Sequence, residues 1–132
     1  MTGKVQLPRE TYTVSLGTTD DTQVCKAPWM NTKNGTLRLK KLIITNAHAT
    51  DTATVTFWDE DLSSATPGEY GSNAAGLLTL QVAGITSTTT IPGNVLILGE
   101  NECPNIQFIA GIAVDTDKTT VHITAEVEIE IL

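Results

Sequence analysis

The chain has 132 residues, of which 40% are hydrophobic and 17% are charged, and its formal net charge at pH 7 is -7. A single domain of this length buries roughly two thirds of the surface that its unfolded chain exposes, so we expect a substantial core. The acidic charge argues against binding of a nucleic-acid backbone, because neutralising phosphates requires clustered Lys and Arg.

The sequence contains no run that approaches the roughly 18 apolar residues of a membrane-spanning helix, and its first residues lack the apolar segment of a signal peptide. We therefore predict neither a membrane protein nor a secreted one. The two cysteines, Cys25 and Cys103, are too few for a disulfide framework. Buried free thiols are the favoured interpretation, and a single disulfide is the alternative.

Residues 1–10 are polar, which predicts an N-terminal arm in front of a single β-domain formed by residues 11–132. An arm of this kind is disordered unless a neighbour holds it, and in an assembly it can reach another subunit. Lys4, Val5 and Leu7 are therefore candidate contacts with a partner.

The rest of the chain alternates short apolar runs with turn residues, and Thr, Val, Ile and Gly dominate it, which is typical of β-structure. No segment shows sustained helical periodicity. Leu37 and Leu39 share one face of a strand, but the pattern changes phase at Lys41, which indicates a β-bulge or a strand that shifts within its sheet. The predicted strands are residues 11–16, 20–26, 36–46, 53–58, 77–82, 86–91, 95–98, 106–114 and 121–131.

The two C-terminal strands have the clearest pattern, and we predict that they form one hairpin around a polar turn at residues 115–118. Residues 121–131 alternate apolar and polar side chains, which predicts a half-buried strand with an acidic outer face. Residues 106–114 are apolar on both faces, which predicts a strand covered on both sides. About eight or nine short antiparallel strands of this kind predict an all-β, two-sheet sandwich of the jelly-roll type.

The polar face of the last strand carries glutamate at alternate positions, namely Glu126, Glu128 and Glu130. Carboxylates in this pattern resist stray edge-to-edge pairing, so we interpret the row as protection of a sheet edge and as a source of negative field. The basic cluster of Arg38, Lys40 and Lys41 is typical of a solvated strand face. Its charges can also pair with an acidic neighbour on another subunit.

Catalytic residues are not indicated by the sequence. His122 lies on the polar face of the last strand, where a solvated histidine is the ordinary outcome, and His48 lies in a loop without a cysteine or carboxylate at triad-like spacing. We therefore expect no enzyme and no cofactor. The acidic cluster Asp59, Glu60 and Asp61 offers ligands for Ca²⁺, but it lacks the spacing of a calcium loop, so solvated turn acids are favoured.

Aromatic residues suggest an alternative function. Trp29 and Trp58 with Tyr70 are candidates for a sugar-stacking platform, although packing or a subunit interface is the favoured interpretation. Tyr70 belongs to a long loop, residues 63–75, which we predict to be a contact segment because loops of this length are usually functional or mobile.

Two stretches resemble the small all-β structural proteins of tailed-phage virions, especially capsid decoration (cement) proteins. Residues 37–59 have the sequence LRLKKLIITNAHATDTATVTFWD, and residues 104–132 include IQFIAGIAVDTDKTTVHITAEVEIEIL. The resemblance implies a non-enzymatic homo-oligomer, usually a trimer, that is made in the host cytoplasm and binds the major capsid protein on the capsid exterior. A carbohydrate-binding or receptor-binding β-sandwich module is the alternative.

Overall fold

The computed structural model describes residues 8–17, 22–26, 35–60, 62, 77–85, 94–109 and 111–131. All of the regular secondary structure in these ranges is β-strand. The nine strands are β1 (Arg9–Leu16), β2 (Thr22–Lys26), β3 (Gly35–Asn46), β4 (Ala53–Asp59), β5 (Leu78–Val82), β6 (Val95–Leu98), β7 (Gln107–Phe108), β8 (Gly111–Thr116) and β9 (Val121–Ile131).

The strands form two antiparallel sheets that pack face to face. Sheet A has the order β1-β9-β3-β6, with β7 paired to β3 as well, and sheet B has the order β2-β8-β4-β5. The chain crosses between the sheets after every strand except β4 and β6. Two antiparallel sheets interleaved in this way form a jelly roll, which confirms the predicted fold class.

The core lies between the sheets and consists of the inward residues of each strand. In β9 the inward positions Val121, Ile123, Ala125 and Val127 are buried and the alternate positions face outward, as the period-2 pattern predicted. The largest fully buried apolar side chains include Phe57 of β4 and Phe108 of β7. Burial of this apolar cluster is the main favourable contribution to folding.

The predicted C-terminal hairpin is wrong, because β8 and β9 belong to different sheets. β8 pairs with β2 and β4 in sheet B, whereas β9 pairs with β1 and β3 in sheet A. The polar turn between them therefore carries the chain from one sheet to the other. Each strand buries its apolar face towards the same core whether the two strands pair as a hairpin or lie in different sheets. The local pattern of apolar residues therefore did not distinguish these two arrangements.

The predicted strand at residues 106–114 is divided into β7 and β8. The interruption follows Phe108, where Asp59 Oδ1 accepts the backbone N–H of Ile109 at 3.0 Å and of Gly111 at 3.4 Å. β8 is covered on both sides as predicted, since Ile112, Ala113 and Val114 are all fully buried. Ile109 is instead 54% exposed, which contradicts the prediction for that position.

The predicted bulge in the third strand is confirmed by a register shift between Leu39 and Lys41 in the pairing of β3 with β9. A second irregularity, between Gln23 and Cys25 in the pairing of β2 with β8, was not predicted. β1 begins at Arg9, so it includes two residues assigned by sequence to the arm. Residues 1–7 and the predicted strand at residues 86–91 lie outside the described residues.

Candidate interaction surfaces

The outer face of sheet A carries an ion-pair network centred on Arg9. This residue lies on the edge strand β1 and extends over β9, where its guanidinium is 3.0 Å from Glu126 Oε1 and 3.4 Å from Glu128 Oε2. It also forms an ion pair with Glu100, which follows β6. These contacts raise the pKa of Arg9, while the hydrogen bond from Arg9 holds the pKa of Glu100 below its usual value.

The interpretation of the glutamate row as edge protection is wrong, because β9 lies between β1 and β3. Its carboxylates instead face cations of the same chain. Arg38 Nη1 lies 3.3 Å from Glu130 Oε2, and Lys41 Nζ lies 3.9 Å from Glu126 Oε2. Arg38 and Lys41 of the basic cluster are therefore paired within the chain, and the negative field of this face is reduced. Such partly exposed pairs each contribute at most about 1 kcal/mol to stability.

One side of the sandwich differs from the rest in its composition. The edge strands β1 and β2 contact each other, so the edge strands at the other end of each sheet, β5 and β6, share the opposite side. The nine residues of β5 and β6 include no ionisable side chain. We call this surface the β5–β6 side and include its exposed apolar neighbours. It contains five of the six exposed large hydrophobic residues in the described part of the chain: Ile43 (42% exposed), Leu77 (39%), Ile85 (45%), Val95 (38%) and Ile97 (62%).

The register places three of these residues in one patch. Ile43 of β3 is directly opposite Ile97 of β6, and Val95 lies two residues from Ile97 on the same face. Directly opposite side chains in an antiparallel pair are about 5 Å apart, so the two isoleucines are neighbours. The sequence indicated a fully apolar strand at residues 95–98, but it did not show that this strand forms an edge of its sheet.

Trp58 lies on the outer face of sheet B. It is directly opposite Ala113 in the pairing of β4 with β8, and its Nε1–H donates to Asp115 Oδ1 at 3.1 Å. Because opposite residues share a face, the indole covers the outer side of Ala113, which is fully buried. Trp58 thus packs on its own sheet, while Trp29 and Tyr70 of the predicted sugar platform lie outside the described residues.

The two histidines lie at different places in the fold. His122 is exposed on sheet A, as predicted, with Nδ1 2.8 Å from Ser15 Oγ. His48 lies in the β3–β4 loop, where its Nε2 is 3.6 Å from Oδ2 of Asp51, three residues further along the same loop. His48 Nδ1 accepts the backbone N–H groups of Thr50 and Asp51, so this ring is occupied in stabilising its own loop.

Asn46 connects the loops at the same end of the sandwich. Its fully buried amide donates to Asp51 O at 2.9 Å and Val82 O at 3.1 Å. Its Oδ1 accepts the His48 N–H at 3.0 Å and the Thr120 hydroxyl at 2.7 Å. A single side chain therefore ties the β3–β4 loop to the end of β5 and to the turn before β9.

Gly84 allows the close packing of these loops. A Cβ at this position would lie 2.7 Å from Asp51 O and 2.8 Å from His48 O, both of them backbone atoms. Real Cβ atoms essentially never approach so closely, so any side chain at this position would displace the β3–β4 loop.

The acidic cluster at the end of β4 has a structural role in the described residues. Asp59 accepts backbone N–H groups, and Glu60 is only 2% exposed, so solvated turn acids are the wrong description of these two residues. Asp61 lies outside the described residues. Within the described ranges, no group of three or more His, Cys, Asp or Glu side chains is placed to hold a metal ion.

Both cysteines are free thiols, which agrees with the favoured interpretation, although Cys103 is only half-buried. Burial raises the pKa of Cys25 to about 12 and also raises the pKa of Cys103. Cys25 packs in the core, whereas the Cys103 thiol lies 3.8 Å from the carbonyl oxygen of Leu98.

We expect the two thiols to react at different rates in the native protein, because only the exposed thiolate is an efficient nucleophile. Iodoacetamide at pH 8 should modify Cys103 slowly and Cys25 only after denaturation, as measured by peptide mass spectrometry. Equal labelling of both residues in the native state would contradict the placement of Cys25.

Folding raises the pKa of Cys25 above the ordinary 9.0, so the free energy of unfolding should fall as the pH rises from about 9 towards 12.

Comparisons with known proteins add no assignment to this geometry. No protein-family model matches the chain, and no curated protein matches it in sequence. The described part of the chain also contains no helix that is long and apolar enough to cross a membrane. The fold and its surfaces are therefore the basis for any proposal about function.

Proposed function

We propose that the protein is a non-enzymatic structural component of a virus particle, which decorates and stabilises the capsid exterior as a homotrimer bound to the major capsid protein. The observation that carries the proposal is the strand order, β1-β9-β3-β6 against β2-β8-β4-β5. Jelly rolls of this kind form viral capsid domains, lectin domains and cupins. The proposal therefore depends on choosing among these three uses of one architecture.

The positions of the polar side chains support the structural use. A cupin enzyme requires histidines that converge inside the barrel, whereas His48 stabilises an end loop and His122 lies on an outer face. The sugar-stacking platform predicted from the sequence requires an available Trp58, whereas Trp58 covers its own sheet and is hydrogen-bonded to Asp115. Neither arrangement resembles a site for substrate chemistry.

The surface composition supports an oligomer on a particle. Much of the acidic charge on sheet A is paired within the chain, and the net charge of -7 favours solubility of an exposed protein. We expect the predicted contact segments to bind the capsid. They are residues 63–75, with Tyr70, and the part of residues 1–10 that precedes β1, with Lys4, Val5 and Leu7.

Light scattering coupled to size exclusion tests the oligomeric part of this proposal. We expect a species near three times 14.1 kDa that persists when the protein is diluted. A strict monomer at the highest attainable concentration would contradict the trimer, and glycan binding by Trp29 and Trp58 would then be the next hypothesis to test.

Particle association requires a separate measurement. Virus particles purified on a density gradient from cells that carry the gene should contain the protein, as detected by mass spectrometry. Its release by mild chaotropic treatment, with the capsid shell left intact, would agree with a decoration role. Particles that form normally and lack the protein would contradict the proposal.

A further inference from the structure

The β5–β6 side has an unusual combination of an open sheet edge and exposed apolar side chains. Among the described residues, β6 pairs with β3 alone, so its other flank is an edge of sheet A in this part of the chain. Edge strands in soluble proteins are usually protected by charged residues or proline, because an apolar edge can associate with another chain. The sequence of β6, VLIL, contains no such residue.

The distribution of charge favours a second copy of the chain as the occupant of this side. Two chains of net charge -7 repel each other, and the repulsion is smallest where the facing surfaces contain no carboxylates. β5 and β6 contain none, and the carboxylate of Glu100, which follows β6, is paired with Arg9. β1 on the opposite side carries Glu10. A basic partner would instead be attracted to the acidic parts of the molecule.

The connections of the chain also point to this side. Residues 63–76 and 86–93 lie outside the described structure, and they join it at Leu77, Ile85 and Asn94. Leu77 and Ile85 are themselves among the exposed apolar residues. In the sequence, the predicted contact segment at residues 63–75 is therefore followed closely by Leu77, an exposed apolar residue of the β5–β6 side.

We propose that the β5–β6 side is the surface through which copies of this chain associate, with Ile43, Val95 and Ile97 packed against the same side of a neighbouring copy. This inference rests on the proposed oligomer and specifies its contact surface. Apolar side chains from the copies would meet near the symmetry axis, and the ion-paired part of sheet A would stay in solvent. Closed symmetric association of this kind is the common arrangement of homo-oligomers.

The variant Ile97→Lys tests the contact surface, and Ile109→Lys is its matched control. Both residues are exposed isoleucines, at 62% and 54%, but they lie at different points along β3. Ile97 is opposite Ile43, whereas Ile109 follows β7, which pairs with β3 at Leu37 and Arg38. A lysine in the centre of an interface should weaken association at least about tenfold, whereas the control should keep the wild-type mass at every concentration. Light scattering measures the mass, and a thermal melt of dilute protein verifies folding.

Three results would overturn the inference, and they are distinguishable. If the wild-type protein is a monomer, the proposed oligomer fails and its contact surface fails with it. If the wild-type protein associates and Ile97→Lys associates equally well, the oligomer stands but uses another surface. If Ile97→Lys lowers the melting temperature of the dilute monomer, a segment of the same chain covers the side.

Cross-linking provides a second test that does not depend on weakening the interface. In a Cys103→Ser background, Ile97→Cys should give a disulfide-linked dimer on mild oxidation, because equivalent residues near a symmetry axis are neighbours. Ile109→Cys in the same background should remain uncross-linked. Equal cross-linking of the two variants would indicate random collisions and would contradict the proposed contact.

Discussion

Replacing Gln23 with glutamate is expected to lower the free energy of unfolding by about 3–5 kcal/mol at pH 7, one of the two largest effects that we predict for a single substitution. The Nε2 group of Gln23 lies 2.9 Å from Cys25 O and 3.0 Å from both Glu60 O and Ile112 O. Its Oε1 accepts the backbone N–H of Leu62 at 2.8 Å. Glutamate would place a carboxylate oxygen against three carbonyl oxygens.

The position of Gln23 explains why its amide has this role. The register of β2 against β8 shifts between Gln23 and Cys25, and the side-chain amide supplies hydrogen bonds where the backbone ladder is irregular. Gly111 leaves space for the amide, since a Cβ there would lie 3.0 Å from Gln23 Nε2 and 2.9 Å from Glu60 O.

Urea denaturation at several pH values measures the effect, with Gln23→Leu as the matched control. The leucine variant loses the hydrogen bonds without gaining a charge. Its free energy of unfolding at pH 7 should therefore fall less than that of the glutamate variant. The facing carbonyl oxygens should raise the pKa of the new carboxyl above about 4.3, so the extra loss should grow as the pH rises above that value. Equal losses for the two variants at pH 7 would contradict this account.

Replacing Asn46 with leucine is expected to lower the free energy of unfolding by about 3–5 kcal/mol, because four hydrogen bonds are lost at a fully buried position. The change would leave the carbonyl oxygens of Asp51 and Val82 without the Asn46 donor. The His48 N–H would similarly lose its acceptor. The end of β5 and the turn before β9 would then lose the side chain that ties them to the β3–β4 loop.

Thr120→Val is the control for Asn46→Leu, because it removes only the hydroxyl that donates to Asn46 Oδ1. We expect it to cost about 1 kcal/mol, as for a single hydrogen bond. Thermal and urea denaturation measure both variants, and amide hydrogen exchange should show faster opening of the β3–β4 loop in Asn46→Leu. If Asn46→Leu lowers the free energy of unfolding no more than Thr120→Val does, the connecting role of Asn46 is contradicted.

The sequence alone predicted the class of fold and the direction of many side chains. Alternation in residues 121–131 identified the buried face of β9, and the phase change near Lys41 located the bulge in β3. These features follow from the period-2 geometry of a strand, which each segment expresses whatever its partners are. The jelly-roll architecture followed from the number of short strands and the turns between them.

Tertiary structure alone decided the partners of each strand. Only the sheet order showed that β8 and β9 are in different sheets and that the glutamate row lies inside a sheet. Arg9 pairs with Glu126 across 117 positions in the chain, and Gln23 and Asn46 contact backbone atoms that are likewise distant in sequence. The exposure of Ile97 also depends on β6 being an edge strand. A residue pattern specifies which face is buried, but it does not specify which distant segment covers that face.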